Sequence, residues 1–282
     1  MWLLPLALVL CSAALHATWN LIVKGEDDKL CTGWLTSLTP AVLLSPVLFF
    51  TGLPSRDVWP ILAASGCLQA LYMIALTRAY SLGDLSVVYP VARGLAPLLV
   101  GLGAPLVLGE RLSPLATIGI GLMGGGIAWL GFSSRRSRGG LLALAWATVT
   151  ASCIASYSIV DKIGVSKAHP LAYIIALFWC MAAFMIPFVL WQRGFKRLGN
   201  LWRRRWPALV TAGLMSLGAY LLVLIAMRLT QVSYIAALRE ISVVLAALLG
   251  SRVLREPHGG RRVLASAAVA LGLILLVLAM RG

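Results

Sequence analysis

The sequence predicts an all-α integral membrane protein of ten transmembrane helices, arranged as two inverted five-helix repeats. Three observations lead to this fold class. The 282 residues are 60% hydrophobic and 12% charged, with a mean hydropathy of +0.92, whereas soluble domains are roughly half apolar and one-quarter charged. Apolar runs long enough to cross a bilayer fill the chain, and its two halves carry the same arrangement of a few charged residues.

Ten apolar runs have the length that a membrane crossing requires. A hydrocarbon core about 30 Å thick needs about 20 helical residues at a rise of about 1.5 Å each. The connections between the runs are too short to fold as separate domains. We therefore predict spans, numbered one to ten in chain order, over residues 2–23, 30–51, 59–80, 85–108, 114–132, 140–160, 170–191, 206–228, 232–254 and 262–280.

The positive charges predict how the spans are oriented. Of the 24 lysines and arginines, sixteen lie in odd-numbered connections or at the span ends beside them, six lie on the opposite side and two lie within spans. Positive residues in short loops mark the cytoplasmic side of a membrane protein. We expect a multi-pass protein of a bacterial inner membrane with its odd-numbered connections in the cytoplasm. The net charge of +15 then points to membrane lipid as a partner and not to nucleic acid.

Two ungapped matches predict an internal repeat. In the first, Arg93 precedes Glu110 by the same number of residues as Arg239 precedes Glu256. The second match sets an aromatic residue, a small polar residue and a lysine of 16–24 against their counterparts in 154–162.

Each predicted repeat contains five spans, which fixes how the two copies are related. Because five is odd, the second copy enters the membrane from the opposite side, and the repeats are inverted. The predicted boundaries are 1–133 for the first repeat, 134–139 for a basic linker and 140–282 for the second repeat.

Three stretches of sequence resemble a known family. They are Leu15-His16-Ala17-Thr18-Trp19-Asn20 with Lys24, then Gly83-Asp84-Leu85-Ser86-Val87-Val88-Tyr89-Pro90 running on to Gly109-Glu110-Arg111-Leu112-Ser113, and finally Leu238-Arg239-Glu240. Through them the whole chain resembles the drug/metabolite transporter superfamily, specifically its EamA-type ten-helix members. The resemblance implies a secondary carrier that exports amino acids, related metabolites, metal-chelating small molecules or toxic compounds, with the substrate held between the repeats.

Charged residues within the spans are the first candidates for a substrate-binding site. Arg93, Arg239 and Glu240 lie well inside spans four and nine, where an ionised side chain costs about 2.5 kcal/mol or more. A guanidinium beside a cavity suits a substrate carboxylate, and Glu240 suits an amine or a transferred proton. In the alternative, Glu240 pairs with Arg93 and locks spans four and nine together.

Polar and aromatic side chains extend this candidate site. Tyr89 shares a helical face with Arg93, and His16, Trp19 and Asn20 share a face of the first span. An aromatic face flanked by hydrogen-bonding groups suits an amphipathic ligand. Trp19 also fits an interfacial belt, and His16 fits either a proton relay or an interhelical hydrogen bond. The remaining candidates are Gln69, Tyr72, Tyr157 and Trp179.

The sequence has no motif for catalysis, cofactor binding or metal binding, such as HExxH, CxxC, Walker A or GxSxG. We therefore predict a monomeric transporter of small molecules that works by alternating access, uses no cofactor and is not an enzyme. Proton coupling is an open alternative. The rival functions are a membrane-embedded transferase and a multidrug or cation efflux carrier without a carboxylate requirement.

Overall fold

The computed structural model describes residues 2–23, 26–133, 140–240 and 260–281. Every regular element in these residues is helical. The linker at 134–139, Lys24 and Glu256 lie outside the described residues. The helices are α1 (Leu3–Val23), α2 (Lys29–Leu44), a 3-10 turn (Ser45–Val47), α3 (Leu48–Thr51), α4 (Trp59–Leu82), α5 (Leu85–Leu108), α6 (Pro114–Ser133), α7 (Gly140–Lys167), α8 (Pro170–Leu229), α9 (Val232–Leu238) and α10 (Gly260–Ala279).

Several of these helices can cross a membrane. Within the described residues, six stretches are long and apolar enough: Leu3–Val23, Lys29–Thr51, Trp59–Leu82, Val87–Leu108, Gly140–Lys167 and Pro170–Leu229. Two shorter apolar stretches, Pro114–Trp129 and Ala267–Ala279, accompany them. The predicted all-helical, multi-pass membrane architecture is confirmed, and the number of ten spans stays a prediction.

Helix α8 contains both the seventh and the eighth predicted spans. At about 1.5 Å per residue, a straight helix of its 60 residues would be far longer than the hydrocarbon core is thick. Gly194 interrupts the helix with φ of 71° and ψ of 165°, a backbone conformation that glycine adopts most easily. Helix α8 therefore consists of two arms, 170–193 and 195–229.

Two predicted span boundaries differ from the observed helices. Helix α7 continues to Lys167, so the predicted end at residue 160 is too early, and Asp161 and Lys162 lie within the helix. The predicted span 232–254 is described only at its start, where α9 ends at Leu238 and Arg239 and Glu240 follow in a turn. Residues 241–254 lie outside the described residues.

Helices from the two halves of the chain pack directly against each other. Helices α1 and α2 contact α8, α4 contacts α7, and α5 contacts α6, α7 and α9. Where α5 meets α6, a Cβ added at Gly94 would lie 2.4 Å from the backbone nitrogen of Ala128, so only glycine permits this approach. Helix α5 therefore packs against α6 of its own half and against α7 and α9 of the second half.

Polar contacts between connections group them by parity. Asp28, before α2, pairs with Arg193 at 3.0 Å and with Arg197 at 2.8 Å, which joins the first connection to the seventh. Lys167 lies 3.9 Å from Asp57 and joins the sixth to the second. In the connection after α8, Nε2 of Gln231 likewise donates to the carbonyl oxygen of Arg111, in the connection after α5. This grouping is the one expected when successive spans cross the membrane in alternating directions.

Candidate substrate-binding site

A small cavity lies where α5 from the first half meets α7 and α9 from the second. Its volume is about 10 Å³, close to the minimum that one water molecule needs. In helix α5, Pro97 has no N–H to donate to the carbonyl oxygen of Arg93, which leaves polar backbone beside the cavity. The lining residues are Arg93, Ala96, Pro97, Val100, Ile154, Ser158, Ala236, Arg239 and Glu240.

An ion pair between Arg93 and Glu240 closes the cavity on one side. Nη2 of Arg93 lies 3.0 Å from Oε1 of Glu240, and the two side chains are only 11% and 3% exposed. Nε of Arg93 and Oε2 of Glu240 are buried and have no hydrogen-bond partner in the described part of the chain. The pair therefore keeps one donor and one acceptor unused, although a buried polar group without a partner costs about 1–3 kcal/mol.

This ion pair is the contact that the locking alternative predicted from the sequence. Glu240 does contact Arg93 and joins α5 to the turn after α9, as the locking arrangement requires. Arg239 does not share this contact but lies over the ring of Tyr220, with its guanidinium carbon 5.5 Å from the ring centroid. Both arginines nevertheless line the same cavity, so the lock and a binding role are compatible.

Aromatic side chains form a continuous wall behind Arg239. Tyr220 packs edge-to-face on Tyr157 at a centroid distance of 6.1 Å, and Tyr157 packs edge-to-face on Tyr72 at 6.0 Å. The wall combines α4, α7 and the second arm of α8. The structure thus brings two predicted site residues, Tyr72 and Tyr157, together with Tyr220, which the sequence did not indicate.

A buried acid near this wall was also missed from the sequence. Asp161 is fully buried, and its Oδ1 accepts a hydrogen bond of 2.7 Å from the Tyr173 hydroxyl. Its Oδ2 accepts hydrogen bonds from the Tyr220 hydroxyl and, at 3.2 Å, from Nε2 of Gln69. The predicted residue Gln69 therefore lies in this network and not among the cavity-lining residues. In the sequence, Asp161 directly follows the predicted span 140–160 and precedes Lys162, so it had the pattern of a loop acid.

Helix α9 is held from both sides at its first turn, which places Arg239 and Glu240. Glu110 accepts hydrogen bonds from the backbone nitrogens of Val232, at 2.6 Å, and Ser233, at 3.2 Å, and from the Ser233 hydroxyl, at 2.7 Å. A carboxylate at a helix N-terminus satisfies free N–H groups and the helix dipole. On the other side of the turn, Lys162 donates to the carbonyls of Met227 and Thr230 at the end of α8.

The predicted residues on α1 interact mainly with one another. Nε1 of Trp19 donates to Nδ1 of His16 at 3.3 Å, and Nδ2 of Asn20 donates to the His16 carbonyl at 2.7 Å. His16 and Trp19 are partly buried and Asn20 is exposed. None of these three residues lines the cavity.

The last two predicted residues lie in different surroundings. Tyr89 is partly buried against the core, one turn before Arg93 on the same helix. Trp179 is 40% exposed and donates a hydrogen bond of 2.9 Å to the Ser45 hydroxyl. The structure therefore does not bring Trp179 into the group around the cavity.

Comparisons with known proteins agree with this architecture. The model of the EamA-like transporter family, part of the drug/metabolite transporter superfamily, matches residues 141–278, so the second half of the chain agrees with the family that the sequence motifs resemble. Members of that family are transporters, which argues against an enzyme. A solved structure described as "Crystal structure of protein" is 20% identical, covers 98% of each chain and superposes with a TM-score of 0.72; at this identity it shows a shared fold alone. No curated protein matches significantly.

Proposed function

We propose that this chain, whose second half belongs to the EamA-like transporter family, is a secondary transporter of small polar or amphipathic metabolites. One observation carries the proposal: the buried pair of Arg93 and Glu240 borders a cavity between the two halves and, among the described residues, retains an unused donor and an unused acceptor. Buried charges at the centre of a membrane protein mark a substrate or ion pathway more often than a structural contact alone.

The chemistry of the cavity favours an amino-acid-like substrate, including metal-chelating metabolites that carry the same groups. A substrate carboxylate fits the planar guanidinium of Arg239 or the free Nε of Arg93. A substrate amine fits Oε2 of Glu240. The tyrosine wall offers apolar area for an amphipathic side chain. Of the predicted set, the proposed site is centred on Arg93, Arg239 and Glu240 with the tyrosine wall beside them, while Asn20, Gln69 and Trp179 do not line the cavity.

The size of the cavity requires movement during transport. A volume of about 10 Å³ cannot hold an amino acid, so the two halves must separate for the substrate to enter. We propose ten spans in two inverted repeats, 1–133 and 140–282, that expose the site alternately to each side of the membrane. The grouping of connections by parity supports this topology. The family resemblance favours export by a monomer in a bacterial inner membrane, with odd-numbered connections in the cytoplasm.

Exchange in proteoliposomes tests the proposal. Purified protein is reconstituted, loaded with an unlabelled amino acid or carboxylic acid, and supplied outside with a trace of the same labelled compound, one compound of a panel at a time. A secondary carrier takes up label by saturable exchange. Arg239→Ala is expected to reduce exchange at least tenfold, while Arg56→Ala, at an exposed position in the second connection, serves as the matched control. Exchange of no compound, or equal rates in both variants, would contradict the proposal.

A cation efflux carrier is the second candidate, because three stacked tyrosines can hold an organic cation. Two arginines against one glutamate at the cavity disfavour it electrostatically. A quaternary ammonium probe in the same assay separates the two. Exchange of that probe with no exchange of any acid would favour cation efflux.

A further inference from the structure

Asp161 differs from the other buried charges, because the three side chains that bond it are neutral. Gln69 comes from α4, Tyr173 from the first arm of α8 and Tyr220 from the second arm. Donors from α4 and from both arms of α8 therefore converge on the carboxyl group. A carboxylate that was only part of a structural ion pair would be expected to contact a cation at close range.

This environment can accommodate two protonation states. When Asp161 is ionised, both tyrosine hydroxyls and the Gln69 amide donate to its oxygens, as the structure shows. When it is protonated, its new O–H can donate to a tyrosine hydroxyl oxygen, because a hydroxyl both donates and accepts and rotates freely. That tyrosine then turns its own O–H away from Asp161, while the other tyrosine and Gln69 keep donating to the acid. Asp161 is therefore hydrogen-bonded in both states, and the network does not fix its charge.

The network is connected to the cavity in two ways. Ile154 and Ser158 line the cavity, and Asp161 follows them on the same face of α7 at helical spacing. Tyr220 donates to Asp161 with its hydroxyl and carries Arg239 over its ring. A change of charge at Asp161 therefore acts on the guanidinium that is proposed to bind the substrate.

In the described part of the chain, the charged and titratable groups near Asp161 come from α4, α5, α7, α8 and the turn after α9. Helix α4 presents the neutral pair Ser65 and Gln69, which bond each other at 3.2 Å. Helix α8 presents Tyr173 and Tyr220, and Tyr157 of α7 and Arg239 both contact the ring of Tyr220. Arg93 and Glu240 line the cavity together with Arg239. Two arginines are thus balanced by Glu240 and an ionised Asp161. Protonation of Asp161 leaves one unit of positive charge in excess.

We propose that Asp161 is a proton-binding site whose occupancy is coupled to acid-group binding at Arg239. The inference rests on the proposed function. A proton that adds to an Oδ of Asp161 removes the negative charge near Arg239, and a substrate carboxylate then restores the balance. By reciprocity, each ligand strengthens the binding of the other. The proton and the acid therefore cross the membrane together. A metabolite that accumulates inside the cell moves out down its own concentration gradient and carries a proton with it.

An infrared measurement tests proton binding without any substrate. Difference spectra of the purified protein, recorded as the pH is lowered, show a carboxylic-acid C=O band for each acid that becomes protonated in an apolar site. We expect one such band to be present in the wild type and in Glu240→Gln and absent from Asp161→Asn, which keeps the size of the side chain. If Asp161→Asn shows all the carboxylic-acid bands of the wild type, the proposal is overturned.

A transport measurement tests the coupling. A pH gradient, acid outside, is imposed on proteoliposomes with the labelled acid that the exchange assay identifies. The wild type is expected to accumulate label, with apparent affinity rising by at most about tenfold per pH unit, the limit for one linked proton. Asp161→Asn should lose accumulation and retain exchange. Asp57→Asn, at an exposed pair with Lys167, is the matched control and should resemble the wild type.

The other possible results of these two experiments also decide between the proposals. Accumulation by Asp161→Asn at the wild-type level would overturn the coupling role, as would loss of exchange in a variant that still elutes as folded protein. A wild type that exchanges the acid without responding to the pH gradient would overturn coupling and leave the transport proposal standing. If the wild type exchanges nothing, the transport proposal fails, and the infrared band still decides whether Asp161 binds a proton.

Discussion

Replacement of the buried ion pair tests whether Arg93 and Glu240 serve transport or only hold α5 near α9. The two side chains are almost enclosed, so removing one partner leaves the other charge buried without compensation. Single removals of this kind cost about 3–5 kcal/mol. At about 2 °C per kcal/mol for a chain of this size, Arg93→Met and Glu240→Met are each expected to lower Tm by about 6–10 °C.

The double variant, Arg93→Met with Glu240→Met, removes both charges and keeps similar side-chain volumes. Apolar replacement of a buried pair is often neutral, or stabilising by about 1–4 kcal/mol. We therefore expect the Tm of the double variant to return to the wild-type value or to exceed it. Thermal unfolding in detergent, followed by intrinsic tryptophan fluorescence, compares the four proteins under the same conditions.

Transport by the stable double variant separates the two roles of the pair. If the pair belongs to the substrate site, this variant exchanges none of the compounds that the wild type exchanges. Exchange at the wild-type rate would refute the binding role and leave the lock alone. A Tm loss in the double variant equal to the sum of the single losses would refute the reasoning about charge compensation, because interacting residues are not additive.

Two further substitutions test the connections that hold the helices. Glu110→Gln leaves an amide with one acceptor oxygen for three donors of α9, so we expect the free energy of unfolding to fall by about 1–2 kcal/mol and Tm to fall by about 2–4 °C. The control Glu26→Gln, at a partly exposed ion pair, should shift Tm by less than about 2 °C. Equal Tm shifts of the two variants in scanning fluorimetry would contradict the capping role of Glu110. Burial acts to raise the pKa of Asp28, but the backbone N–H of Cys31 and the charge of Arg193 outweigh it and hold this pKa below the ordinary 3.8. The ion pairs of Asp28 therefore stabilise the fold above that pH and are lost as the pH falls through the lower folded pKa. We expect Asp28→Asn to lower Tm at neutral pH and to have no effect in strong acid; the same deficit at both pH values would show that charge is not the cause.

Hydropathy predicts the position of a helix in the membrane better than it predicts the end of the helix. Helix α5 begins and ends as predicted, because Gly83 and Asp84 precede its apolar run and Gly109 follows it. The predicted loop 192–205 is instead helical on both sides of Gly194. Its lysines and arginines have good helix propensity, so the chain leaves the apolar region without leaving the helix.

The charged part of the site could be predicted and its neutral partners could not. Arg93, Arg239 and Glu240 stand out in the sequence because charges are rare within spans. Asp161 directly follows Val160, the last apolar residue of its run, and so resembled a loop acid. Its donors, Tyr173, Tyr220 and Gln69, are 12, 59 and 92 residues away along the chain, and no pattern within one segment indicates such a set.

Two charged residues of the repeat motifs, Glu110 and Lys162, hold the site in place and do not line it. Glu110, from the first half, caps the start of α9, and Lys162 binds the end of α8. Both contacts fix the turn from which α9 extends towards the cavity. A charged residue at a span end can bond backbone groups that the helix terminus leaves free. Such a residue stands out in the sequence because it holds a connection between helices.

Packing explains why the acid of the site occurs in only one half. In the predicted repeat, Glu240 corresponds to Gly94, where an added Cβ would lie 2.4 Å from the nitrogen of Ala128 and 2.7 Å from the carbonyl oxygen of Gly124. A carboxylate at Gly94 would force α5 away from α6, so the first half cannot supply a second acid there. The cavity therefore contains two arginines and one glutamate, and its second negative charge has to come from Asp161 or from the substrate.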